Sequence, residues 1–127
     1  MAIRVGLVAL GVSQLALALW MVLDPASFFT HVGGFGARND HYIRDYATFA
    51  FALGVVALIA VWRPSWRLPV LTLAALQFTL HAINHIRDAG KATASTSGAG
   101  DAIEIGAAAL LLAALAWLAR REARSAR

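Results

Sequence analysis

Residues 5–23 read VGLVALGVSQLALALWMVL, a run of nineteen positions without a formal charge. A helix needs roughly 20 apolar residues to cross the hydrocarbon core of a bilayer. Three further runs of similar character follow, and we predict spans at about residues 5–23, 43–62, 68–87 and 102–119. The first run exceeds the apolar core of a typical signal peptide, so we interpret it as a span.

The composition favours the same class of protein. Sixty per cent of the 127 residues are apolar and 14 per cent are charged, whereas a soluble domain usually carries about 25 per cent charged residues. We therefore predict an all-α fold, an integral membrane antiparallel four-helix bundle that forms a single domain over residues 1–127 in contact with the lipid bilayer. Cysteine is absent, which excludes disulfides and thiolate sites.

The distribution of basic residues predicts an orientation. An even number of spans places both termini on one side, which carries seven basic residues: Arg4, Arg63, Arg67, Arg120, Arg121, Arg124 and Arg127. The other side carries four: Arg38, Arg44, Arg87 and Lys91. The positive-inside tendency predicts a multi-pass cell-membrane protein with cytoplasmic N- and C-termini. Because the arginines form no interleaved patch, we expect no nucleic-acid partner.

The connections between the spans differ in kind. Residues 63–67 predict a tight basic turn, with Pro69 in the first turn of the third long helix. Residues 24–40 form a longer connection that we expect to include a short interfacial helix. Asp101 and Glu104 have the spacing of an N-terminal capping box, which predicts that the last helix begins there.

A polar stripe distinguishes the third run. Gln77, His81, Asn84, His85 and Asp88 lie at i, i+4, i+7, i+8 and i+11, so they share one face of a helix. Polar groups inside a membrane usually face other protein groups. We therefore predict that this face points into the bundle and lines a pocket that opens outward.

The stripe and its expected neighbours predict a metal or cofactor site. The predicted metal ligands are His41, Asp45, His81, His85, Asp88 and Glu104, and the predicted cofactor contacts are Gln77 and Asn84. Imidazoles one helical turn apart, joined by carboxylates, suit zinc, copper, iron or manganese. A haem needs histidines that face each other from different helices, and the position of His41 near the water disfavours it.

A purely structural interpretation accounts for the same residues. Histidines within a bundle can hydrogen-bond to neighbouring polar groups and hold helices together. Gln14 and Gln77 both lie near the expected bilayer centre, and we expect their amides to hydrogen-bond to each other. Glu104 is explained equally well as a helix cap.

The pattern of spans and the segment DPASF at residues 24–28 resemble the DoxX-like group of small bacterial membrane proteins. The likeness covers most of the chain. It implies a four-helix fold in a bacterial inner membrane, and some members of the group resemble accessory subunits of quinone-linked oxidation. It supplies no catalytic motif, and the segments at residues 39–45 and 81–88 are more distinctive than the features of the group.

Three functions stay open at this point. The first is a subunit of a larger membrane complex that binds a transition metal or redox cofactor in an outward-facing pocket. The second is a non-catalytic assembly protein that forms a homo-oligomer or joins a larger complex. The third is an enzyme that acts on a lipid or quinone, with histidine and carboxylate as acid and base.

Overall fold

The computed structural model describes residues 1–93 and 98–125, so Arg127 lies outside the described residues. The helices are α1 (Ala2–Leu23), α2 (Pro25–His31), α3 (Asp40–Trp62), α4 (Pro64–Asp88) and α5 (Ala99–Ser125). A single 3-10 turn, Ala89–Lys91, follows α4. The predicted all-α class is confirmed for the described part of the chain.

Three of the long helices have the length and composition needed to cross a membrane. These helices are α1, α3 and α5. The fourth long helix, α4, is of similar length, but its stripe of amide and imidazole side chains makes it more polar than the others. Three long apolar helices in so short a chain indicate a membrane protein.

The helix boundaries correct the predicted connections. The predicted turn at residues 63–67 is a single residue, since α3 ends at Trp62 and α4 begins at Pro64. Arg63 is extended because the residue before a proline avoids the helical region. Pro64, and not Pro69, occupies the first turn of α4, where its missing N–H costs nothing.

The longer connection contains the short helix expected there. Asp24 caps α2, because its carboxylate accepts a hydrogen bond of 2.9 Å from the backbone N–H of Ser27. Asn39 caps α3 in the same way, accepting from the backbone N–H groups of His41 and Tyr42. Two local caps therefore define the chain path between α1 and α3.

The four long helices pack as two pairs, α1 with α3 and α4 with α5. Contacts between α3 and α4 join the pairs, and α1 touches α5 more lightly. Glycine allows the backbones of α1 and α3 to meet, because a Cβ atom on Gly54 would lie 3.0 Å from the carbonyl oxygen of Gly11. A Cβ atom on Gly11 would lie 3.1 Å from the carbonyl oxygen of Gly54.

Most of the buried residues form two cores. We call the end of the bundle near Arg63 the turn end, and the end that carries the two long connections the loop end. The core towards the turn end includes residues from all four long helices, among them Leu7, Leu53, Leu71 and Leu112. The core at the loop end is built from α1, α2 and α3 alone: Ala18, Met21, Phe28, Ala47 and Ala50. Within residues 1–93 and 98–125, the two helix pairs therefore share no core at the loop end.

Candidate ligand-binding site

A cavity of about 440 Å³ lies at the loop end, bounded by all five helices and the segment after α2. Most of its wall is aliphatic or aromatic, and Leu17, Met21 and Phe28 belong to this part. Polar groups enter from α4 and α5. This volume lies within the range of roughly 300–1,000 Å³ that is usual for small-molecule sites.

Two histidines from α4 form the polar centre of the cavity wall. His81 and His85 are one turn apart, and their Nε2 atoms lie 3.0 Å from each other. At this distance one ring donates its N–H and the other accepts. One hydrogen bond therefore joins the two rings, which lie on the inward face of α4.

Asp101 from α5 lies beside His85 and lines the same cavity. Its Oδ2 is 3.9 Å from Nδ1 of His85, and both side chains are only 13% exposed. Within residues 1–93 and 98–125, these two atoms are buried without a hydrogen-bond partner. A carboxylate beside Nδ1 favours the imidazole form that carries its hydrogen there. Nε2 of His85 is then free to accept the hydrogen of His81.

The position of Asp101 corrects the predicted capping box. Helix α5 begins at Ala99, two residues before the expected start. Asp101 lies in the first turn, and its carboxylate faces His85. Glu104 follows on the same helix and lines the cavity.

Tyr46 connects the polar face of α4 to α3. Its hydroxyl accepts a hydrogen bond of 3.0 Å from Nε2 of Gln77, and its ring centroid lies 6.0 Å from that of His81. The expected bond between Gln77 and Gln14 is therefore replaced by a bond to Tyr46. Gln77 supports the cavity wall through Tyr46, but it does not line the cavity as a cofactor contact would.

The two predicted metal ligands on α3, His41 and Asp45, point away from the cavity. His41 and Asp45 lie 3.4 Å apart, and their side chains are 75% and 61% exposed. Ile43 and Tyr46 occupy the inward face of α3 and line the cavity. Because a helix repeats every 3.6 residues, His41 and Asp45 lie on its opposite face. The structure does not bring them to His81.

The outer part of the polar stripe is also directed away from the cavity. Asp88 accepts a hydrogen bond of 2.7 Å from the Lys91 ammonium, and this bond holds the pKa of the Asp88 carboxyl below its ordinary value. Asn84 is exposed and does not line the cavity. Among the described residues, no three His, Asp or Glu side chains are arranged to hold a metal ion.

Phe35 is a wall residue that the sequence interpretation missed. Its ring packs edge-on against His85, with centroids 4.9 Å apart. The segment around it is held from the other long connection, because the backbone N–H of Thr93 donates to the carbonyl of Gly34 at 2.7 Å. Gly36 has φ of +70°, a conformation that favours glycine. The sequence signal that could have identified Phe35 is its position as an aromatic residue between glycines.

Comparison with models of known protein families finds no match, and no curated protein or solved structure matches the chain significantly. The resemblance to the DoxX-like group therefore stays a prediction. What the chain does must be inferred from the cavity, its aromatic walls and the polar groups of His81, His85 and Asp101.

Proposed function

We propose that the chain is a four-helix integral membrane protein that binds a small, mainly apolar organic molecule in the cavity at its loop end. The observation that carries the proposal is the cavity itself, in which apolar walls surround the paired imidazoles of His81 and His85. Small-molecule sites typically combine apolar walls with a few convergent polar groups. The histidine pair offers both a hydrogen-bond donor and an acceptor to a hydroxyl or carbonyl group of the ligand.

The outer face of α4 supports its assignment as the fourth span. Large apolar side chains cover this face and are exposed: Leu73, Leu76, Leu80, Ile83 and Ile86. His81 and His85, by contrast, turn towards the cavity. An extended exposed apolar face is unfavourable in water and is expected in lipid.

The aromatic residues at the two ends support a bundle that crosses the bilayer. Trp62, Trp66 and Trp117 are exposed near the turn end. Trp20 and Tyr42 are exposed near the loop end. Tryptophan and tyrosine prefer the two membrane interfaces, so this distribution fits four antiparallel spans.

The topology can be tested with single cysteines, because the chain has none of its own. Ser65 is exposed in the first turn of α4, and Gly90 is exposed in the 3-10 turn that follows its other end. In intact cells we expect a membrane-impermeant maleimide to label Gly90→Cys, and to label Ser65→Cys only after permeabilisation. Ser125→Cys should behave like Ser65→Cys. Labelling of positions 65 and 90 from the same side would contradict a spanning α4, and the reverse pattern would contradict only the cytoplasmic termini.

Ligand binding can be followed at one methyl group. The chain has two methionines, of which Met21 is fully buried and lines the cavity, whereas Met1 is fully exposed. We expect 4-tert-butylphenol to shift the methyl resonance of Met21 in a saturable titration of methyl-labelled, detergent-purified protein. The Met1 resonance should stay unchanged, because this residue does not line the cavity.

A matched pair of variants separates cavity binding from partition into detergent. Leu17 lines the cavity, whereas Leu19 is 59% exposed on another face of α1. Leu17→Trp should lower the affinity measured at the Met21 methyl resonance by about tenfold or more, because the larger ring fills the binding space. Leu19→Trp should leave the response unchanged. An unshifted Met21 in the wild type, or equal effects of the two variants, would refute the proposal.

A metal ion is a second candidate, favoured by one distance. Two neighbouring nitrogens of a tetragonal Cu²⁺ site bind at right angles to each other, and at bond lengths of about 2.1 Å they lie about 3.0 Å apart. The Nε2 atoms of His81 and His85 have this separation. A carboxylate behind a metal-binding histidine is also common, and Asp101 occupies that position. In the same spectra, one equivalent of Cu²⁺ should then broaden the methyl resonance of Met21, and His81→Ala should abolish the broadening.

A further inference from the structure

The charged residues of the cavity wall all have one sign. Asp101 and Glu104 line the cavity, and neither lysine nor arginine is present among the described residues that do so. The formal charge that lysine, arginine, aspartate and glutamate give the described part of the wall is therefore negative.

Two basic residues of the loop end are paired with acids that do not line the cavity. Arg38 forms an ion pair of 3.0 Å with Asp40, and Lys91 forms one of 2.7 Å with Asp88. By the sequence count, the loop end holds six acids against four basic residues. The field at this end therefore attracts positive charge towards the cavity, unlike that of the arginine-rich turn end.

Aromatic rings supply a second attraction for a cation. The cavity is lined by five of them: Phe28, Phe29, Phe35, Tyr42 and Tyr46. The faces of such rings carry negative potential and attract ammonium groups, most strongly where water is excluded. Aromatic walls beside a carboxylate are a combination that recognises organic amines.

Asp101 gives the third observation. Its Oδ2 is buried, and no hydrogen-bond donor reaches it within the described part of the chain. Leaving a carboxylate oxygen buried and unpaired costs stability. A cation in the cavity offsets this cost, because it brings positive charge close to the carboxylate.

We infer that the ligand of the cavity is a lipophilic organic cation, an apolar or aromatic body that carries an amine or quaternary ammonium group. The inference rests on the proposed function, because it names the chemical class bound at the same site. Its apolar body would contact the wall near Leu17 and Met21. Its charged group would lie beside Asp101, Glu104 and the aromatic rings.

A pair of isosteric probes tests the charge alone. Phenyltrimethylammonium and tert-butylbenzene have the same shape, but the first carries a positive nitrogen where the second has carbon. We expect the cation to shift the Met21 methyl resonance with an affinity at least about tenfold higher. The measurement uses the full chain in detergent, with Met1 as the internal reference.

Two variants locate the source of this preference. Glu104→Gln and Asp101→Asn should each reduce the preference for the cation by at least about threefold, because each removes one charge from the wall. Asp45→Asn removes the same charge from an exposed site at the loop end and should leave the preference within about twofold.

The outcomes distinguish the two proposals. If tert-butylbenzene binds as tightly as the cation, the cavity still binds small molecules but the inference of a cationic ligand is overturned. If none of the organic probes shifts Met21, the proposed function itself fails. A preference that is lost equally in Asp45→Asn would also overturn the inference, because the wall carboxylates would not be its source.

Discussion

Replacing Gly54 by leucine is expected to lower the free energy of unfolding by about 3 kcal/mol. The reason is the direct meeting of the α1 and α3 backbones, where a Cβ atom on Gly54 already approaches the carbonyl oxygen of Gly11 to 3.0 Å. The same Cβ atom would lie 2.8 Å from Cγ of Leu15, and Leu15 would have to shift away from the residues that it contacts. Thermal unfolding followed by circular dichroism in detergent measures the loss.

Gly106 offers the matched control for this substitution. It lies within α5, and a Cβ atom built there would meet nothing within 4 Å. Gly106→Leu should therefore preserve stability or raise it by up to about 1 kcal/mol, since leucine favours a helix more than glycine does. Equal destabilisation by Gly54→Leu and Gly106→Leu would contradict the assigned contact between α1 and α3.

Replacing His85 by leucine is expected to cost about 2 kcal/mol of stability. Nδ1 of His85 lies 3.9 Å from the buried Oδ2 of Asp101. Removing the imidazole leaves that carboxylate beside apolar groups, and the ring of Phe35 borders the space that the imidazole occupied. The same thermal unfolding assay measures this loss.

The double variant is the decisive comparison. His85→Leu with Asp101→Leu should be more stable than His85→Leu alone by at least about 1 kcal/mol, because no charge is then left buried. Asp45→Leu serves as the control, since its carboxylate is largely exposed, and it should not restore stability. Additive losses for His85 and Asp101 would show that the two side chains act independently.

Most of the helical framework could be predicted from the sequence. Each long helix corresponds to a run with few charges. A segment of this kind in lipid must satisfy its own backbone hydrogen bonds, which favours a helix. The boundaries were less predictable at proline, because Pro64 and Pro69 both satisfy the rule for a first turn. The choice between them depends on how tightly α3 and α4 pack, which requires the tertiary structure.

The candidate site was predictable only in its local part. The spacing of His81 and His85 determines that they share a face of α4. The rotation of α3 about its own axis was not predictable, because it is determined by the contact between Gly11 and Gly54. That rotation places Tyr46 in the cavity wall and His41 on the surface. Phe35 lies on a loop, where no periodic pattern indicates which way a side chain points.

Assembly of the chain stays a prediction. A homo-oligomer, a larger membrane complex and a bacterial inner-membrane location were all expected from composition or resemblance. Exposed apolar side chains on α1 and α5 are explained by lipid alone, so they do not require a protein partner.

The absence of a shared core at the loop end has a consequence for the rate of ligand exchange. Because the helix pairs are joined by a common core near the turn end, a small rotation of one pair about that end widens the gap at the other. Two hydrogen bonds to the carbonyl of Gly34, from the backbone N–H and from the hydroxyl of Thr93, cross this gap and limit the opening. Residence time then depends on breaking these two bonds and moving Phe35, with every long helix left intact.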